Sequence, residues 1–135
     1  MIQRGRRARY DKMTWQELED ELPNGERLSI LVVGDSQDPL APRIVRSVLP
    51  PGTRIEVHTH DSDYVEIILE GAERVGRTWY RKGDIRRVKA GCVYGPLVAG
   101  PEGVLKLIVF RDGNWQPRQV KPGADEGLST RTATT

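Results

Sequence analysis

Two histidines one residue apart, His58 and His60, are the residues of this chain best placed to do chemistry, and they are its only histidines. They open the stretch HTHDSDYVEIILEG, which runs from position 58 to 71. Side chains alternate across a β-strand, so both imidazoles would project to one face and could bind a single metal ion. Two protein ligands make a weak site. Catalytic zinc usually has three, and iron(II) oxygenases use two histidines and a carboxylate. A third ligand is therefore expected nearby.

The elements that would position these histidines are short β-strands. From residue 27 onward, β-branched and aromatic runs alternate with Gly, Pro and Asp, a pattern typical of an all-β sandwich or barrel. The runs are RLSILVV, RIVRSVL, TRIEVHTH, YVEIILE, GRTWY, IRRVKA, CVYGPLV and VLKLIVF. One helix is predicted from Thr14 to about Leu22, because Thr14 and Glu17 form a capping box and Pro23 follows.

The spacing of these residues resembles the first sequence motif of the cupin superfamily, G-x5-H-x-H-x(3,4)-E-x6-G. Gly52, His58, His60 and Gly71 fall in register with that motif. Tyr64 stands in the position of the glutamate ligand. The register is complete and one ligand differs.

The second cupin motif, G-x5-P-x-G-x2-H-x3-N, is matched less closely. Gly83 and Gly91 fall in place, and Tyr94 stands where the family usually has its last histidine ligand. Lys89 and Val98 occupy the proline and asparagine positions. Both departures at ligand positions are to tyrosine, which suggests a remodelled pocket.

The resemblance covers about residues 43–110 and implies a single-domain cupin antiparallel β-barrel, also called a double-stranded β-helix or jelly roll, with one short N-terminal helix. We expect a flexible basic arm over residues 1–12, the cupin domain over 13–115 and a disordered polar tail over 116–135.

The resemblance also implies a divalent metal ion, whether Fe, Mn, Zn or Ni, held by His58 and His60. Glu66 offers a hard carboxylate oxygen but lies about 6–7 Å further along the strand than Tyr64. Tyr64 or Tyr94 would first have to lose a proton of pKa about 10. Whichever of Tyr64, Tyr94 and Glu66 is not bound would act as the catalytic proton carrier. Alternatively, both tyrosines are fillers whose hydroxyls bond to the histidines or to Glu66, in a metal-free ligand pocket.

Two further sequence features concern the interior. Arg86 and Arg87 are neighbours on a predicted strand, so one of them should point inward and could anchor a carboxylate. Cys92, the single cysteine, is expected to be a small core residue, and it excludes an intramolecular disulfide framework.

The function expected from these features is that of a metal-dependent cupin enzyme acting on a small organic molecule, as an isomerase, lyase, cyclase or dioxygenase. The alternative is a cupin that binds a small ligand without metal and without turnover. A third possibility is a structural or regulatory dimer with a vestigial pocket.

Charge and hydrophobic pattern bear on the partners of the chain. The net charge of +2 over 135 residues gives no reason to expect nucleic-acid binding, and no run suits a signal peptide or a membrane span, so a cytoplasmic protein is expected. Opposite the histidine face, the strands carry a second apolar set that the N-terminal helix, the LSILVV strand or a second subunit must cover: Ile55, Val57, Val65, Ile67 and Leu69. A homodimer is therefore expected.

Overall fold

The computed structural model describes Gln16–Glu17 and residues 22–120, which form ten antiparallel β-strands and no helix in this part of the chain. The all-β prediction is confirmed. The strands are β1 Gln16–Glu17, β2 Arg27–Val32, β3 Arg43–Leu49, β4 Arg54–Ile55, β5 His58–His60, β6 Tyr64–Val75, β7 Thr78–Arg81, β8 Ile85–Val88, β9 Leu97–Phe110 and β10 Pro117–Gln119.

Two sheets contain these strands. The larger sheet has the order β1-β2-β3-β9-β6-β7, with β4 also pairing with β9 and β8 with β6. The smaller sheet pairs β5 with β10. The longest strands, β6 and β9, pair with each other and form the centre of the larger sheet. The histidine strand β5 therefore belongs to the small sheet, and on its other side His58 forms an isolated β-bridge with Tyr94.

Strict alternation of burial shows which face of the larger sheet is the interior. In β6 the residues Tyr64, Glu66 and Ile68 are buried, while those between them are half-buried. The same alternation in β3 and β9 buries a core with residues Val45, Leu49, Val104 and Phe110 among its members. The interior is thus mostly apolar, with buried polar side chains on β3, β5, β6, β8 and β9.

A break in register lets a second glutamate of β6 enter the interior. The ladder between β6 and β9 shifts between Ile68 and Glu70 and again between Gly71 and Glu73, as β-bulges do. Gly71 has a φ of 75°, and a Cβ on it would lie 2.1 Å from the carbonyl oxygen of Gly103. Only glycine fits so close an approach of two strands. Before the bulges the buried positions of β6 are even-numbered, and after them they are odd-numbered. Glu66 and Glu73 therefore both point inward.

The structure contradicts the predicted N-terminal helix at Gln16 and Glu17, the two residues before Leu22 that it describes. Gln16 and Glu17 form β1 and pair with Ile30 and Ser29 of β2, whereas residues 14–15 and 18–21 lie outside the described part. Backbone hydrogen bonds to the open edge of β2 outweigh a local capping preference, because a helix of about nine residues is marginal by itself.

Residues 117–119, which were expected to belong to a disordered tail, form a strand. Pro117–Gln119 pairs with His58–His60 as β10, and the aromatic ring of Trp115 lies 6.4 Å from that of Phe110. Composition predicted disorder here, but a strand partner and an aromatic anchor are tertiary contacts that composition does not show. The arm over residues 1–12 and the chain from residue 121 lie outside the described residues. The described residues contain no helix that could span a membrane.

Candidate functional site

The two histidines are held on both sides by backbone pairing. On one side His58 exchanges backbone hydrogen bonds with Tyr94, at 3.2 and 3.3 Å, and on the other side β5 pairs with β10. Both side chains are buried, with 6% and 8% of His58 and His60 exposed. The edge-to-face imidazoles have their ring centroids 5.0 Å apart. The shared face predicted from their spacing is observed, and it is turned inward, as the cupin resemblance implies.

Backbone carbonyls fix the tautomer of both imidazoles. His58 Nδ1 lies 2.9 Å from the carbonyl oxygen of Glu56, and His60 Nδ1 lies 2.7 Å from that of Trp115. A carbonyl only accepts, so each Nδ1 must carry the proton and donate it. In the neutral ring the lone pair is then on Nε2. Fixing the distal nitrogen in this way is how proteins orient a histidine for metal binding.

Burial keeps both rings neutral at physiological pH. Desolvation lowers the pKa of His58, and the backbone hydrogen bond to Glu56 opposes this only in part. Desolvation, aided by the nearby His58, lowers the pKa of His60 to about 4. Neutral imidazole is the form that binds a metal ion or accepts a proton. The pair therefore presents two nitrogen lone pairs at pH 7.

The two predicted tyrosines join the histidines and differ from each other. The Tyr94 hydroxyl donates to His58 Nε2 over 2.7 Å, with ring centroids 4.6 Å apart. The Tyr64 ring lies 5.0 Å from that of His60, and its buried hydroxyl interacts with that of Tyr94 but makes no well-formed hydrogen bond to a described residue. Burial raises the pKa of Tyr94 to about 12 and that of Tyr64 well above its usual value. We call these four residues the histidine–tyrosine cluster.

A second polar group, the buried charge cluster, consists of Glu66, Glu73, Arg86 and Lys106. Arg86 Nη2 lies 2.5 Å from Glu66 Oε2, and Lys106 Nζ lies 3.3 Å from Glu66 Oε1 and 2.7 Å from Glu73 Oε1. None of the four is more than 3% exposed. Glu66, a predicted metal ligand and proton carrier, is therefore ion-paired with two cations.

The two carboxylates of the buried charge cluster are shifted in opposite directions. Burial alone would raise the pKa of Glu66, but the charges of Arg86 and Lys106 outweigh it and lower that pKa. Burial and then the charge of Glu66 raise the pKa of Glu73 to about 8. At neutral pH, Glu66 is ionised and Glu73 mostly retains its proton. One carboxylate charge then faces two cations.

Arg86 connects the two clusters, and it is the inward-pointing member of its pair. It is 1% exposed, whereas Arg87 is exposed. Its guanidinium carbon lies 4.4 Å from the ring centroid of Tyr94 and 6.0 Å from that of Tyr64. Guanidinium stacking on aromatic rings is favourable where the cation is desolvated. The carboxylate that Arg86 anchors is Glu66.

A cavity of about 250 Å³ adjoins both clusters. Its polar walls include His58, His60, Tyr94, Glu66 and Lys106. Its remaining walls are largely apolar and include Leu28, Val45, Ile55, Leu97, Ile108, Phe110, Trp115 and Pro117. This volume is slightly below the usual range for drug-sized ligands, so the cavity suits a small molecule with one polar end.

The donor atoms of the histidine–tyrosine cluster fit a divalent metal ion, although no group of three His, Cys, Asp or Glu residues suited to a metal occurs in the described part of the chain. Two Nε2 lone pairs are oriented, and a phenol oxygen lies at 2.7 Å from one of them. Tyr64, whose ring lies 5.0 Å from that of His60, carries a second phenol oxygen in this cluster. The fit therefore depends on tyrosine as the third ligand, because Glu66 is already engaged by Arg86 and Lys106.

Sequence reasoning missed Glu73 and Lys106, which complete the buried charge cluster. Lys106 was visible as the one charge inside the apolar run VLKLIVF, at even spacing from the buried Val104 and Phe110. Simple alternation along β6 places Glu73 on the face opposite to Glu66, and only the bulge near Gly71 turns it inward. Cys92 is half-buried and packs against the core, as expected.

Comparison with known proteins establishes the fold. No protein-family model matches the sequence, and no curated protein sequence matches it. Among solved structures, oxalate decarboxylase from Bacillus subtilis at pH 4.6 is similar with a TM-score of 0.63 and 24% identity, over 76% of this chain and 30% of that chain. A tryptophan-to-phenylalanine variant of that enzyme has a TM-score of 0.62 and 22% identity, over 78% of this chain and 30% of that chain. A third structure, which concerns the Mn(II) centres of the enzyme, has a TM-score of 0.59 and 23% identity, over 76% of this chain and 28% of that chain.

These similarities show that the chain has a cupin-type fold. The chain spans about 30% of the length of the decarboxylase chains that it matches, and the identities are low.

Proposed function

We propose that this chain is a metal-dependent cupin enzyme that acts on a small organic molecule in the cavity beside His58 and His60. The observation that carries the proposal is the tautomer of both imidazoles, whose Nδ1–H groups are held by carbonyls of Glu56 and Trp115. Desolvation keeps both rings neutral. Neutral rings with oriented Nε2 lone pairs are what a metal site requires of histidine.

Each residue of the histidine–tyrosine cluster has a role in this proposal. His58 and His60 hold the ion, and Tyr64 supplies the third ligand, because its buried hydroxyl would otherwise stay unsatisfied at a cost of about 1–3 kcal/mol. Tyr94, which lines the cavity, holds or moves a proton at its hydroxyl oxygen. The metal, when bound, acts as a Lewis acid toward a substrate oxygen.

The buried charge cluster positions these groups in the proposal and is not a ligand set. Arg86 packs on the rings of Tyr94 and Tyr64 while Glu66 neutralises it. A cation beside Tyr94 opposes the rise in the pKa of that phenol, so Arg86 eases its ionisation. Glu66 acts through Arg86 and Lys106.

The fold comparison supports a metal in general terms. Oxalate decarboxylase of Bacillus subtilis contains Mn(II) centres, and its structure resembles that of this chain. The two residue changes at ligand positions, Tyr64 and Tyr94, argue that the reaction of this chain differs from that of its structural neighbours. Lyase, isomerase, cyclase and oxygenase chemistry are all compatible with the donor set.

Metal binding tests the proposal. Protein purified without a metal-affinity tag and stripped with chelator is titrated with Mn²⁺ and with Zn²⁺ in a calorimeter. We expect one site per chain in the wild type and none in His60→Gln. Glu70→Gln, which changes an exposed carboxylate paired with Lys82, is the matched control and should bind as the wild type does. Stoichiometric binding that persists in His60→Gln would overturn the proposal.

A second function is favoured by one specific contact. The Tyr94 hydroxyl already occupies the lone pair of His58 Nε2, and the Glu66 carboxylate is already neutralised. The cluster could therefore recognise the polar end of a small ligand directly, as a binding module without metal or turnover. In that case the stripped protein binds its ligand as tightly as untreated protein, and neither titration releases heat from a specific site.

A further inference from the structure

The outer face of the larger sheet carries a continuous apolar surface. Its residues stand in register across five neighbouring strands, β2, β3, β9, β6 and β8. One row joins Leu31, Ile44, Val109 and Val65, and the next joins Leu107, Ile67 and Ile85. We call this surface the outer apolar face, and its members are Leu31, Ile44, Val48, Val65, Ile67, Leu69, Ile85, Leu105, Leu107 and Val109.

Nothing in the described part of the chain packs over the outer apolar face. None of its members belongs to the buried core or to the partly buried residues that pack against that core. At its margins Val48 is 38% and Ile85 is 61% exposed, and the members between them are half-buried side by side. With a third row through Val48 and Leu105, three rows on five strands span roughly 24 by 20 Å at ordinary sheet spacings, or about 500 Å² including their polar positions.

An apolar area of this size is a candidate interaction site. The largest apolar patch of a typical monomer is about 300–600 Å² and often marks an interaction site. A standard interface buries about 800 Å² on each partner, with an apolar centre and a polar rim. The outer apolar face has the size of such a centre.

The described parts of this chain are not placed to cover the outer apolar face. The strand β2 lies within the sheet and adds Leu31 to the face, and Gln16–Glu17 extends the same sheet at its edge. At the other terminus the chain leaves the described structure after β10, which belongs to the smaller sheet. Residues 1–15 include four arginines and a lysine, and such a segment would be costly to bury on an apolar surface.

We propose that the outer apolar face of one copy packs against the same face of a second copy, in a two-fold symmetric dimer. In such an interface one surface is self-complementary, so each apolar row is used twice. Three arginines stand on this face. Arg46 lies in the middle row beside Leu107, and its Nη2 donates to Ser29 Oγ over 2.8 Å. Arg27, beside Val48, and Arg87, beside Val65, lie at opposite corners, where an interface has its polar rim.

Sedimentation equilibrium of the intact, chelator-treated chain tests the dimer independently of any metal. We expect about twice the chain mass of 15.2 kDa at micromolar concentration. The double variant Val48→Lys/Ile85→Lys changes two exposed members of the face, so each protomer should fold. Its dimer dissociation constant should rise at least tenfold. Leu40→Lys, at a loop residue that is 77% exposed and outside the face, is the control and should leave the constant unchanged.

Two results would overturn the proposal. One is a wild-type chain that sediments at 15.2 kDa over the whole range. The other is a dimer that the double variant weakens no more than Leu40→Lys does. Circular dichroism of each variant verifies folding, and if the double variant is unfolded, Ile85→Ser serves as the milder variant with the same two readings.

Discussion

The two polar clusters inside this protein share one interior and satisfy their polar atoms in different ways. The buried charge cluster is held by ion pairs, in which Glu66 and Glu73 receive Arg86 and Lys106 at 2.5–3.3 Å. Glu66 Oε1, Glu73 Oε2 and two guanidinium nitrogens of Arg86 have no hydrogen-bond partner among the described residues. The histidine–tyrosine cluster is neutral. The backbone orients both Nε2 lone pairs, that of His58 accepts from the Tyr94 hydroxyl, and the Tyr64 hydroxyl makes no well-formed hydrogen bond to a described residue.

This difference indicates that the buried charge cluster supports the site and that the histidine–tyrosine cluster binds the ligand. Buried charges that are paired with one another are costly to separate, because one partner stays buried and unpaired. Neutral donors with oriented lone pairs cost less to bury and can still bind a ligand. Arg86 is the residue through which the first cluster positions the second, since it packs on Tyr94 while it is paired with Glu66.

The largest effect should come from Glu66→Gln, which leaves two buried cations with only Glu73 to neutralise them. We expect a loss of about 3–5 kcal/mol in the free energy of unfolding in urea at pH 7. Glu73→Gln is the matched isosteric control. Glu73 mostly keeps its proton at pH 7, so this variant should lose at most about 1 kcal/mol. Equal losses in the two variants would show that both carboxylates carry the charge balance.

A smaller effect is the pH dependence that Glu73 gives to stability. Its folded pKa of about 8 lies above its unfolded value, so between these values the folded state binds more protons. The resulting contribution is complete below about pH 4.5 and is lost as pH rises through 8. Between pH 5 and pH 8 the wild type should lose at least about 1 kcal/mol more than Glu73→Gln, since one pKa unit is about 1.4 kcal/mol. Urea titrations of both proteins at the two pH values measure this difference. An equal loss of stability in the wild type and in Glu73→Gln would refute it.

The smallest effect on stability distinguishes the two tyrosines. Tyr94→Phe removes the donor to His58 Nε2 and should cost about 1–2 kcal/mol in the metal-free protein. Tyr64→Phe removes a hydroxyl without a well-formed hydrogen bond and should be neutral or slightly stabilising. In metal titration, Tyr64→Phe should weaken binding at least tenfold, equivalent to about 1.4 kcal/mol. Unchanged metal affinity in Tyr64→Phe would make this tyrosine a filler.

Sequence reasoning reached the histidine–tyrosine cluster and missed half of the buried charge cluster for a physical reason. His58, His60, Tyr64 and Tyr94 follow from motif spacing, because the alternation of a strand fixes which side chains share a face. The ion pairs of Glu66 depend on which residues the neighbouring strands bring opposite it. That register, and the bulge near Gly71, are long-range features.

The predicted helix over residues 14–22 failed at Gln16–Glu17 for the same kind of reason, since a free strand edge is not visible in local sequence. The β10 strand, Pro117–Gln119, was missed because its partner lies almost sixty residues earlier in the chain.

Nitrogen NMR of histidine-labelled protein tests the central claim most directly, because His58 and His60 are the only histidines of the chain and each ring gives its own pair of nitrogen signals. We predict that in stripped, untagged protein at pH 7 both rings are protonated at Nδ1 and bare at Nε2. The His60 ring should stay neutral well below pH 6.5, given its pKa of about 4. One equivalent of Zn²⁺ should shift both Nε2 signals together and leave both Nδ1 protons in place. A proton on either Nε2 at pH 7, or a Zn²⁺ response from only one ring, would contradict the account.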